Sequence, residues 1–170
     1  MKKCVGLGLL VGVALFSACQ KSEVVSEFTG NQTTYSLQAA SLYPISGTVT
    51  FKERKDGAVT ISVQLAGTSA GATSPVHLHM GDITTPAASV AALLGPVDGK
   101  TGISETRLVQ LADETSINYE KLIMLDACVK VHLSDSGAGR DVILAAGNVG
   151  IASPKSITGG RQGIAVCKSE

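Results

Sequence analysis

The chain has 170 residues, with 14 Lys and Arg against 14 Asp and Glu, 44% apolar residues, 4% aromatic residues and no Trp. That length suits one domain with a short appendage and is enough to bury a core. A formal charge of zero lacks the concentrated basic surplus of nucleic-acid-binding proteins, so nucleic acid is not an expected partner.

Residues 1–18 form a targeting segment. Lys2 and Lys3 make a charged start, Val5 to Phe16 is an almost unbroken apolar run, and Ser17 and Ala18 precede Cys19. The run has signal-peptide size and is short for a membrane span. Leu15-Phe16-Ser17-Ala18-Cys19 resembles a bacterial lipobox, with Phe16 in place of the usual aliphatic residue. That resemblance implies lipidation at Cys19 and a membrane partner through the anchor; a plain cleaved signal is the alternative. Gln20 after Cys19 is not the Asp associated with inner-membrane retention, which points to the outer membrane of a bacterial envelope, facing periplasm or surface. Lys2 and Lys3 are the only charges in 1–18, so 12 basic residues remain against 14 acidic, a net −2. Cys128 and Cys167 are the two cysteines left over, a candidate disulfide outside the cytosol.

Residues 19–33 read as the lipidated Cys and a polar tether, and 34–170 as the domain. Tyr35 to Ala39 is the first predicted strand. Ser46 to Lys52 and Ala58 to Leu65 alternate apolar and polar residues with period two, joined by a Lys55-Asp56-Gly57 hairpin turn. Val76 to Met80, Thr106 to Leu111, Ala127 to Leu133, Val142 to Ala146 and a weak Ile164 to Cys167 complete the set. One short helix follows Asn118, a good N-cap, with Glu120 in its first turn and an Ile117–Leu122 hydrophobic staple. Seven or eight short strands in about 120 residues predict an all-β sandwich or flattened barrel.

The three histidines are His77, His79 and His132. His77 and His79 leave one face of a strand, about 6.6 Å apart along it. Val76 and Leu78 then point inward and both imidazoles outward. Ala127, Val129, Val131 and Leu133 form the apolar face of the later strand, so Lys130 and His132 also point outward. If the two strands are neighbours, three imidazoles converge on one ion outside the core. Neutral imidazoles with an open position suit Cu or Zn, and the affinity order favours Cu. An H-x-H pair is a weak motif by itself, and three surface histidines that bind nothing are the plain alternative. Lys130 reads as a solvated face residue. Met80 is a soft donor that strand parity turns away from His79, and Gly147 and Gly150 read as sites of tight backbone passage.

Val76-His77-Leu78-His79-Met80-Gly81-Asp82 resembles the copper-ligand strand of Cu,Zn superoxide dismutases. Val131-His132 with Ser134-Asp135-Ser136-Gly137, then Leu144 to Ala152, resembles that family's later copper strand and final barrel strand. The same pieces resemble the chordin-like (CHRD) domain of extracellular proteins. Both resemblances imply a Greek-key, immunoglobulin-like or dismutase-like β-sandwich of about eight strands, and the first implies a copper cofactor on His77, His79 and His132. Asp82 matches the family's Gly-Asp and would orient a ligand or stabilise a turn. The chain departs from the dismutases in four places. It has no His between Met80 and Val131, so the bridging ligand and the zinc site are missing. It has Ala146 for the family's disulfide Cys and Ile143 for its active-site Arg, with Arg140 three residues earlier. The expected function is therefore a copper-binding envelope lipoprotein, a copper carrier or a copper-only dismutase-like enzyme; whether it is an enzyme stays open, and no protein partner is indicated. The alternative is a non-catalytic chordin-like module.

Overall fold

The computed structural model describes residues 25–85 and 88–153. The predicted signal, Cys19, Cys167 and the Ile164–Cys167 strand lie outside them. Eight antiparallel strands, β1 (Phe28–Ala39), β2 (Ser46–Arg54), β3 (Val59–Ala66), β4 (Thr73–Met80), β5 (Val90–Asp98), β6 (Ile103–Leu108), β7 (Asp126–His132) and β8 (Ile143–Gly150), close into one barrel. The order around it is β1-β2-β3-β6-β5-β4-β7-β8, with β8 returning to β1 through Gln38↔Ala146 and Ala39↔Ala145. Among the described residues one short α-helix, α1 (Tyr119–Ile123), follows Asn118, whose side chain accepts the Lys121 backbone N–H at 3.0 Å. Ile117 and Leu122 are both buried, as a staple requires.

Alternation builds the interior. Val49, Phe51, Ile61, Val63, Val76 and Leu78 all turn inward, and Tyr35 meets Phe51 with ring centroids 5.3 Å apart. Between β2 and β3, Gly57 takes a positive φ of 83°, and Asp56 Oδ1 accepts the Ala58 N–H at 3.1 Å.

Three features depart from the sequence reading. β1 begins at Phe28, inside the expected tether, because Phe28 lies under the Lys52 and Arg54 cations (5.9 and 5.4 Å to its centroid). β5 was not predicted: Val90-Ala91-Ala92-Leu93-Leu94-Gly95-Pro96 lacks strand alternation, and Val90 is its one strong strand former. Pro96 is tolerated because the β5–β6 ladder is sparse, with Asp98↔Ile103 as its one registered pair. Side chains bridge the rest, Gly95 N–H to Thr106 Oγ1 at 2.7 Å and Ser104 Oγ to the Gly95 carbonyl. β6 accordingly starts three residues earlier than expected, at Ile103.

The closing seam demands Gly147. A Cβ there would fall on the Ser36 carbonyl of β1 and within 3.1 Å of Leu37 Cδ2. Gly147→Ala is expected to cost at least about 1–3 kcal/mol, the usual range for overpacking, in chemical denaturation. A loss well below that would show that β1 shifts without loosening the closure.

Candidate metal centre

β4 and β7 are neighbours, with Val76↔Val131, His77↔Lys130 and His79↔Cys128 opposed. His132 follows two residues after Lys130, on the same face and diagonal to His77. The three rings meet on the outside of the barrel wall. Their centroids are 4.7 Å apart for His77–His132, 5.7 Å for His77–His79 and 6.2 Å for His79–His132. One nitrogen from each ring lies within 4.8 Å of the others, an arrangement that could hold a metal ion.

Outward does not mean exposed here. His79 is 0% and His132 2% accessible, and His77 is partly buried. Loops cover the face on two sides. The Ala88 carbonyl, after β4, accepts His79 Nδ1–H at 3.1 Å. The Arg140 carbonyl, in a 3-10 turn (Gly137–Asp141), accepts His132 Nδ1–H at 2.8 Å. A carbonyl can only accept, so both Nδ1 atoms carry the proton and both neutral rings present Nε2 as the donor atom. Such outer-shell bonds fix tautomer and ring orientation in metal sites. His132 Nε2 is buried and has no hydrogen-bond partner among the described residues. An orphaned buried lone pair is unfavourable unless something occupies it.

The other sequence-derived candidates fall around this cluster. Lys130 is not solvated; it is 0% accessible, opposite His77. Cys128 is buried opposite His79 on β7, in a small cluster with Ile83, Ile143 and Ala146. Met80 is exposed at the strand end and outside the ligand group. Asp82 builds a turn: its Oδ1 accepts Thr84 N–H (2.9 Å) and Thr84 Oγ1–H (2.6 Å). Asn148 was not singled out from sequence, although it is a polar residue in an otherwise apolar, wholly buried strand. Its Oδ1 accepts the Ile83 N–H at 2.8 Å and ties the loop after β4 to β8. The Ala88 and Arg140 carbonyls carry no sequence signal, since every residue has one.

Burial holds His77 and His79 well below the ordinary imidazole value, to about 4 in each case. Repulsion between a charged ring and His132, His79 and Arg140 adds to the effect at His77, and repulsion from Lys130 and His132 adds to it at His79. His132 is lowered too, first by burial and then by Lys130 and Arg140, against the hydrogen bond to the Arg140 carbonyl and against Asp141. The rings are therefore neutral and ready for metal at neutral pH.

No protein-family model matches the chain, and comparison with curated proteins finds no match.

The depressed values set a stability prediction. Below pH 6.5 the unfolded chain protonates its histidines while the folded chain does not, so metal-free stability falls from about pH 6.5 toward pH 4. The melting midpoint should drop across that window in the metal-free chain and drop less in the His77→Gln/His79→Gln/His132→Gln variant. Equal slopes would contradict buried, neutral rings.

Proposed function

We propose that this chain is a copper-binding protein of the bacterial envelope, lipid-anchored through Cys19, whose dismutase-like β-domain holds one copper ion on His77, His79 and His132. The observation that carries the reading is the convergence of three neutral imidazoles outside the core, with His132 Nε2 buried and unsatisfied. The donor set is all imidazole, without carboxylate or thiolate, which suits Cu and Zn, and the affinity order favours Cu. The strand order around the barrel and the diagonal placement of His132 support the likeness to the dismutase copper strands.

Bound copper would supply a one-electron couple. The chain's own contribution is to fix two Nε2 atoms by backbone carbonyls and to keep water from them, with His77 as the more accessible side. Zinc in a dismutase-type second site is not part of the reading, because no His lies between Met80 and Val131. Nor is an arginine at Ile143; Arg140 instead uses its carbonyl to hold His132.

Metal analysis of the chain after copper and zinc loading should give about one equivalent of copper, abolished when His77, His79 and His132 are all replaced by Ala. Undiminished tight copper binding in that triple variant would remove the site from consideration. Superoxide consumption by the copper-loaded chain, lost in the triple variant, assigns dismutase-like activity; copper retention without it assigns a carrier.

A further inference from the structure

The three ligands are not equivalent. His79 and His132 are buried, and each has its Nδ1–H tied to a backbone carbonyl. His77 is only partly buried, and neither of its nitrogens has a hydrogen-bond partner among the described residues. Across the strand pair its neighbour on β5 is Leu93, which is 70% accessible. Its ring touches those of His79 and His132, and no hydrogen bond fixes its orientation.

Resting on the copper reading above, we propose that His77 is the exchange ligand of the cluster: a metal ion is held from the barrel side by the fixed Nε2 atoms of His79 and His132, and is acquired or surrendered by substitution at His77. The step is a ligand substitution. One metal–nitrogen bond to His77 breaks, one bond to an incoming donor forms, no electron moves, and His77 leaves as neutral imidazole.

Moving the His79 or His132 ring would break a carbonyl bond, whereas moving His77 breaks none. An incoming donor also meets His77 first, since the other two rings are closed off by the loops that carry Ala88 and Arg140.

The test compares His77→Ala, His79→Ala and His132→Ala chains loaded with Cu(I), following transfer to a small-molecule Cu(I) chelator. His77→Ala should still take up one equivalent and release it about ten-fold faster or more, within the range that altered ligand support produces. His79→Ala and His132→Ala should retain no stoichiometric copper. Equal losses in all three, with a wild-type chain that binds one equivalent, overturn this proposal and leave the copper reading standing. A wild-type chain that binds no copper overturns both. A metal-free measurement is independent of either outcome: diethylpyrocarbonate should modify His77 first in the apo chain, and His79 or His132 reacting as fast would overturn the assignment.

Discussion

The pairing of β4 with β7 is the constraint on which the candidate centre depends. Side chains alternate across a strand, so the register that opposes His77 to Lys130 places His77, His79 and His132 on one face together. A slip by one residue would send the imidazoles into the barrel and Val76 and Leu78 out of it. The inward residues enforce the register: Val76, Leu78, Val129 and Val131 are all fully buried. The hydrophobic interior thus positions a polar cluster that it does not contain.

A second layer turns that placement into a site. The wall formed by β7 and β8 is covered on both sides, so nearly every residue in it is buried. On the outer side, Asn148 receives the Ile83 N–H, and Ile83 packs on Cys128, Ile143 and Ala146. The flanking loops then offer carbonyls to His79 and His132. Burial keeps the rings neutral, and the carbonyls hold the proton on Nδ1 of His79 and His132. His77 escapes this fixation, and that asymmetry separates holding a ligand from exchanging it.

Much of this was legible in the sequence, for a simple reason. Period-two alternation identified β2 and β3, and the parity of His77 and His79 against Val76 and Leu78 gave the outward face without knowledge of the fold. The Asn118 cap and the Lys55-Asp56-Gly57 turn are local chemistry, readable residue by residue. β5 was not readable, because its Ala- and Leu-rich run gains strand geometry only from β4 beside it and from side-chain bridges to β6. Lys130 was misread as solvated, and the depth of the site was missed, because loop coverage of an outer face is tertiary. The carbonyls of Ala88 and Arg140 carry the ring orientation, and no side-chain pattern announces them.

The central claim is that two imidazoles are pre-oriented, with Nδ1 protonated and Nε2 available, before any metal arrives. Nitrogen-15 NMR of the histidine rings in the metal-free chain at neutral pH tests it most directly. The account predicts the neutral Nδ1–H form for His79 and His132, with copper(I) perturbing their Nε2 resonances. Nε2–H tautomers or charged imidazolium at those two positions would contradict it.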